Sequence, residues 1–178
     1  LSGGLDSTLA VRLMYDLGID VQAVNFHTGF CFTDTRRETK RGKSANPVGG
    51  PSDALSSAAN LGIKIDITDI SDGYLDIVHN PKYGYGKNVN PCIDCRINMF
   101  KIAAEKMKEY GAKFVFTGEV LAQRPMSQHF DQLGLIAKQS GLEDILLRPL
   151  SAKLLPETLP EREGWIDRSK LFGFHGRS

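Results

Sequence analysis

The 178 residues include 22 basic and 21 acidic side chains, for a net charge of +1, with 41% hydrophobic and 24% charged residues. That length suits one domain around a single core, and that composition is ordinary for a soluble globular protein. The near-neutral balance excludes a global basic field for nucleic acid, so any RNA contact is local, and no apolar run approaches the ~20 residues that span a bilayer.

Leu1-Ser2-Gly3-Gly4-Leu5-Asp6-Ser7 opens the chain and runs straight into an apolar helical pattern. Adjacent glycines beside serines let the backbone close around an anion. The helix behind them aims its opening NH groups and positive dipole end at the same point. The turn has no lysine, so the expected phosphate ligands are backbone NH groups over Gly3, Gly4 and Leu5 and the hydroxyls of Ser2 and Ser7. Asp6 is the expected Mg2+ ligand. The competing reading is a glycine turn that only caps a helix through Ser2 or Asp6. A nucleotide-binding turn follows a buried strand, whereas this sequence starts on the turn, so a domain trimmed at its front edge is expected.

Leu9, Ala10, Leu13, Met14 and Leu17 recur at three- and four-residue steps and predict one face of a helix over 6–17, closed by Gly18. VQAVNFH over 21–27 reads as a buried strand, giving the turn, helix and strand order of an α/β nucleotide-binding domain. Residues 28–50 form an irregular insertion that holds Cys31 and the cations Arg36, Arg37, Lys40, Arg41 and Lys43. That run suits RNA phosphates or plain solvation equally. Ser52 caps a second helix, with Ala54, Leu55, Ala58, Ala59 and Leu61 facing inward and Gly62 closing it. A strand over 63–67, a short helix over 73–79 and a second irregular stretch over 80–91 follow.

A helix then runs from the Cys92–Cys95 region to Tyr110, and a strand over 114–117 leads into the turn Gly118-Glu119. A helix over 127–140, a strand over 145–150 and short helices and turns after Pro156 complete the chain. The expected fold is α/β, a Rossmann-like parallel sheet sandwiched by helices, forming one domain over 1–178. In such sheets ligands bind beyond the carboxyl ends of the strands, which predicts that Asp6, Cys31, Glu119 and Lys153 gather at one edge.

Asn90-Pro91-Cys92-Ile93-Asp94-Cys95-Arg96 is the second informative stretch. A thiol at a helix start beside Arg96 and Lys101 is the setting of a reactive sulfur or a metal ligand. Three readings stand: one cysteine carries a reactive sulfur; Cys31, Cys92 and Cys95 ligate an iron-sulfur cluster; or the pair is structural, as half a zinc site or buried apolar residues. An odd count of three cysteines suits a reducing compartment. With no signal-peptide pattern, the cytoplasm is the expected location.

Ser-Gly-Gly-x-Asp-Ser resembles the pyrophosphate loop (PP-loop) of the N-type ATP pyrophosphatases, which split ATP into AMP and pyrophosphate to adenylate a substrate. Asn-Pro-Cys-x-x-Cys-Arg is similar to the Asn-Pro-x-x-x-Cys-Asn element of the tRNA 2-thiouridylases, whose catalytic cysteine falls where Cys95 stands. Thr117-Gly118-Glu119-Val120-Leu121-Ala122-Gln123 with Ser127-Gln128, and Arg148-Pro149-Leu150, resemble elements of the tRNA 4-thiouridine synthases. The resemblance implies an ATP-dependent sulfurtransferase acting on tRNA. A uridine carbonyl would be adenylated, with pyrophosphate leaving on the Gly3-Gly4 cradle. Sulfur would then arrive as a persulfide on Cys95 or as sulfide held on a cluster.

By the same resemblance Gly118, Glu119, Gln123 and Ser127 join the ATP pocket, and tRNA and a sulfur donor protein or sulfide are the partners. The 2-thiouridylases pair their first cysteine with a distant later one, and no cysteine follows Cys95. Some relatives bind a [4Fe-4S] cluster through three cysteines, the number present here. A related adenylating enzyme acting on a small molecule, such as an amidotransferase-type synthetase, and a non-catalytic nucleotide-binding or iron-sulfur scaffold are the alternatives.

Overall fold

The computed structural model describes residues 1–28, 51–86 and 89–176. Cys31, the cations of the first insertion and Lys87 lie outside the described residues. The chain forms two compact units, Leu1–Leu75 and Asp76–Ser178.

In the first unit, helix α1 (Leu5–Asp16) leads to strand β1 (Gln22–His27), and helix α2 (Pro51–Leu61) leads to strand β2 (Lys64–Asp69). The strands pair in parallel, from Gln22 opposite Lys64 to His27 opposite Asp69. A parallel pair needs a crossover, and the chain between β1 and β2, with α2 in it, supplies one. α1 ends as its sequence predicts: Gly18 takes a positive φ and its NH meets the carbonyl of Tyr15, while Ile19 NH reaches Met14. Gly62, Gly111 and Gly141 repeat that hydrogen-bond pattern after the other long helices.

The buried face of α1 is Ala10, Val11 and Met14, with Ala23 of β1 and Ala54 and Ala58 of α2 also buried. Leu9 and Leu55, expected inside, are exposed. The small residues of α2 let that helix approach closely, and its larger Leu55 turns outward.

The second unit starts with the short helix α3 (Tyr74–His79), most of which falls within it. Helix α4 (Cys92–Glu109), strand β3 (Val115–Phe116), helix α5 (Phe130–Gln139), strand β4 (Leu146–Leu147) and the one-turn helix α6 (Leu159–Arg162) follow, with 3-10 turns at Ala152–Leu154 and Arg168–Lys170. β3 and β4 pair in parallel, Val115 opposite Leu146. The architecture is α/β with parallel strands. Each unit carries its own two-stranded ladder among the described residues.

Ile93, Ile97 and Phe100 of α4 pack with Ile136 and Ala137 of α5 and with Leu142 and Leu146. Each of the isoleucine, leucine and phenylalanine side chains contributes about 1.5–3 kcal/mol relative to exposure.

Both ladder strands of this unit are shorter than their patterns predict, and at the carboxyl end Pro149 has no NH to extend the ladder. Backbone from the end of the described chain meets the carbonyls beyond it instead. Phe172 NH donates to Pro149 O at 2.9 Å and Phe174 NH to Leu150 O at 2.8 Å. Helix α5 also starts later than expected. Residues before it form a turn in which Ala122, at φ +60°, donates to Gln128 O at 2.7 Å, and Ser127 and Gln128 are buried. No helix of the described residues is long and apolar enough to cross a membrane.

Candidate functional site

The opening loop of the first unit is shaped by contact with α2. Gly3 has φ +77°, and a Cβ there would lie 2.6 Å from Asp53 Cβ and 2.8 Å from Ala54 N, so only glycine fits. Gly4 is the N-cap of α1 in an extended conformation with no side-chain cap, and Asp6 lies in the first helical turn. Gly4 rather than Ser2 or Asp6 is thus the N-cap residue, and Ser2 Oγ accepts from Gly4 NH at 3.4 Å.

Ser2 Oγ also meets Ser7 Oγ at 3.0 Å, and Ser7 and Thr8 hydroxyls both donate to Gly4 O, at 2.9 and 3.0 Å. Asn25 Nδ2 donates to Leu1 O at 2.7 Å, tying the loop to β1. A helix start with glycine as its N-cap, two hydroxyls and a glycine pressed on a neighbouring helix form a cradle of the kind that holds phosphate oxygens. Sequence reasoning missed Asp53. Its Oδ2 is buried with no hydrogen-bond partner among the described residues, so a second carboxylate lies beside the loop.

In the second unit, three sequence motifs meet around one carboxylate. Glu119 is only 3% exposed; Arg148 Nε donates to its Oε2 at 3.0 Å, and Arg96 Nε lies 3.8 Å from its Oε1. Arg148, also buried, donates through its NH2 group to Leu133 O at 3.1 Å. The cysteine motif, the Thr117-Gly118-Glu119 turn and the Arg148-Pro149-Leu150 element are thus joined through Arg96, Glu119 and Arg148. Glu119 sits in the turn after β3, as its sequence predicts, and is held there by arginines. Arg96, expected to serve the neighbouring thiol, faces this carboxylate.

Cutting one partner from a buried ion pair strands the other charge, a loss of about 3–5 kcal/mol. Arg148→Ala is therefore expected to lower the urea midpoint markedly. The double change Arg148→Met with Glu119→Gln should recover most of the loss, because both charges then leave together.

Cys92 and Cys95 both lie in the first turn of α4, half-buried, and are not joined by a disulfide. Three residues apart on a helix, they are surface neighbours. The turn is fixed from the loop side: Asp94 accepts from Lys82 NH and Tyr83 NH, each at 3.1 Å. Tyr85 hydroxyl donates to the carbonyls of Val78 and His79, which ties the loop after α3 back to the last turn of that helix.

Among the described residues no group of three or more His, Cys, Asp or Glu side chains is placed to hold a metal, and Cys31 lies outside them. Gln123 NH donates to Val120 O at 3.2 Å, and Lys153 Nζ to Ser169 O at 2.8 Å. Trp165 packs by Phe114, with Lys113 Nζ 5.1 Å above its ring.

Comparison with known proteins adds to this geometry. Residues 1–153 match the family model described as "Thiamine biosynthesis protein (ThiI)". The chain belongs to the ThiI family. The ThiI family is a PP-loop family, and its match takes in the opening loop, the cysteine turn, Glu119 and Arg148.

Relatives named tRNA-specific 2-thiouridylase (MnmA) are also similar. That of Nitratidesulfovibrio vulgaris is 30% identical over 128 residues, 69% of this chain and 34% of the relative. That of Micrococcus luteus is 29% identical over 163 residues, 89% of this chain and 42% of the relative. The Thermotoga petrophila protein is 32% identical over 98 residues, 53% of this chain and 27% of the relative. The chain thus spans about a third to two fifths of the length of the first two relatives.

Proposed function

We propose that the protein is an ATP-dependent tRNA sulfurtransferase that converts a uridine carbonyl to a thiocarbonyl and forms AMP and pyrophosphate. The observation that carries this is the joining of the cysteine turn to two other motifs through Arg96, Glu119 and Arg148, in a chain with the ThiI-family opening loop. The names of the thiouridylase relatives support tRNA as substrate. The reading takes residues 1–178 as one ATP pyrophosphatase domain acting in the cytoplasm.

In this reading the loop of the first unit handles ATP. Backbone NH groups around Gly3, Gly4 and Leu5 and the hydroxyls of Ser2 and Ser7 bind the leaving pyrophosphate. Carboxylate oxygens suit Mg2+, and the buried, unpartnered Oδ2 of Asp53 beside the loop fits that donor set. Asp6 would hold the ion with Asp53 nearby; bound there, Mg2+ neutralises charge on the phosphates. The uridine carbonyl oxygen attacks the α-phosphorus as the α–β bond breaks, which converts that oxygen into a good leaving group. Gly118, Glu119, Gln123 and Ser127 shape the ATP pocket, with Glu119 acting through the arginines it holds.

The cysteine turn of the second unit handles sulfur. A persulfide on Cys95, loaded by a sulfur donor, attacks the activated carbon and AMP leaves. The sulfur–sulfur bond then has to be cut by a second thiol. Cys92, one turn away, is the candidate, and an external dithiol reduces the resulting disulfide. The alternative delivery from a [4Fe-4S] cluster needs Cys31 beside Cys92 and Cys95. The two described thiols form only part of that ligand set, so no step is drawn through a cluster.

The test is to supply ATP, tRNA and a persulfide donor and to follow nucleotides and digested nucleosides together. Equal amounts of AMP, pyrophosphate and thiouridine are expected. ADP with phosphate, or AMP and pyrophosphate formed as a small molecule takes the sulfur in place of RNA, would contradict the reading.

A further inference from the structure

Arg96 is held on one side only. Its Nε lies 3.8 Å from Glu119 Oε1, an ion pair without a hydrogen bond, and among the described residues its guanidinium makes no hydrogen bond at all. Glu119 is already paired through its other oxygen, which accepts from Arg148 Nε at 3.0 Å. Two guanidiniums thus share one carboxylate, and among the described residues no other ion pair reaches the three.

The charge in excess is positive, and it rests on the arginine that solvent reaches. The side chains of Glu119 and Arg148 are 3% and 7% exposed, whereas that of Arg96 is 27% exposed. Asp94, the acid in the first turn of α4, is spent elsewhere, because its two oxygens accept from Lys82 NH and Tyr83 NH. A planar fork steadied at Nε, with both of its NH2 groups unspent, is the donor set that takes two oxygens of an oxyanion.

Arg96 follows Cys95 directly and stands four residues after Cys92 on α4. Residues four apart share a helix face, and helical side chains lean toward the N-terminus, so the fork is directed over the turn that carries both thiols. The sulfur step releases an oxyanion at that turn. As the outer sulfur of a Cys95 persulfide bonds to the activated carbon, the carbon–oxygen bond breaks, and that oxygen leaves with the electron pair on the phosphoryl group of AMP.

We propose that Arg96 binds a phosphoryl oxyanion beside the two thiols, with Glu119 and Arg148 as the buried pair that steadies its fork. The proposal rests on the sulfurtransferase function above for the source of that group, which is either the phosphoryl displaced from the activated uridine or a backbone phosphate of tRNA.

The first test needs no RNA. Iodoacetate and iodoacetamide consume the same thiolates, but only iodoacetate carries a charge that the fork holds. Their rate ratio at Cys92 and Cys95, read by peptide mass, therefore reports the site free of any change in thiolate population. In the full chain Arg96→Met is expected to lower that ratio about ten-fold, the scale of one charge-assisted contact, and Arg96→Lys should keep part of it. Inorganic phosphate, at ionic strength held constant with chloride, should lower the wild-type ratio and leave that of Arg96→Met unchanged. Melting temperatures should hold, because Glu119 keeps Arg148. An equal ratio in wild type and Arg96→Met, or a wild-type ratio that phosphate does not move, overturns the site.

Rapid quench then separates the two sources. A displaced phosphoryl group predicts an undiminished pyrophosphate burst in Arg96→Met, with thiouridine formation slowed even at saturating tRNA. A backbone phosphate predicts weaker tRNA binding with a salt slope smaller by about one, and thiouridine restored at saturating tRNA. If thiouridine formation and tRNA binding are both unchanged, the proposal is overturned. A phosphate-sensitive ratio in a protein that makes no thiouridine leaves the oxyanion site standing and removes the proposed function. Thiouridine formed by a protein whose ratio ignores Arg96 does the reverse.

Discussion

Replacing Cys95 by serine is expected to lower thiouridine formation about 10³-fold or more, while a single-turnover burst of pyrophosphate from ATP and tRNA persists. Adenylation needs the loop of the first unit and no thiol, whereas sulfur transfer needs a nucleophile that oxygen does not replace. Serine is close to isosteric, and Cys95 is only half-buried, so the fold should survive. Rapid quench with separate readouts of pyrophosphate and thiouridine makes the comparison. Unchanged thiouridine in the variant would remove Cys95 from the chemistry.

Gly3→Ala is expected to cut pyrophosphate release about 10²-fold or more, the scale set by displacing a bound group by ~1 Å. The positive φ alone costs an alanine about 1–2 kcal/mol. The larger effect is steric. The new Cβ would sit 2.6 Å from Asp53 Cβ, 2.7 Å from Asp53 C and 2.8 Å from Ala54 N, and backbone atoms of a helix cannot step aside as a side-chain tip can. Gly18→Ala is the control, with φ +80° and nothing within 4 Å. It should lose some stability and leave ATP turnover alone. Steady-state pyrophosphate release with thermal melts of both variants separates the two costs, and equal turnover in both would contradict the cradle.

The elements were legible where a period and a stop signal coincide. α1, α2 and α4 follow three- and four-residue steps and close on Gly18, Gly62 and Gly111. Which face is buried was less legible. α1 offers Leu9, Ala10, Val11, Leu13 and Met14 on overlapping faces, and only packing selects Ala10, Val11 and Met14.

The site was legible as motifs but not as connections. Glu119 and Arg148 stand 29 residues apart, and the parallel pairing of β3 with β4 is what brings their turns together. Nothing in the charge pattern names that partner, nor diverts Arg96 from the thiol next to it. Asp53 escaped notice because a buried carboxylate oxygen without a partner is a property of packing. The backbone pairing of Phe172 and Phe174 with Pro149 and Leu150 escaped because a short extended segment paired to turns has no period to read.

The most direct test of the central claim follows the uridine oxygen. A tRNA whose target uracil carries a heavy-oxygen label at the reacting carbonyl is thiolated with ATP and a persulfide donor, and the nucleotide products are weighed by mass spectrometry. If the carbonyl is activated by adenylation, the label is recovered in AMP in proportion to the thiouridine formed. Label in water or in inorganic phosphate, with thiouridine still produced, would contradict it.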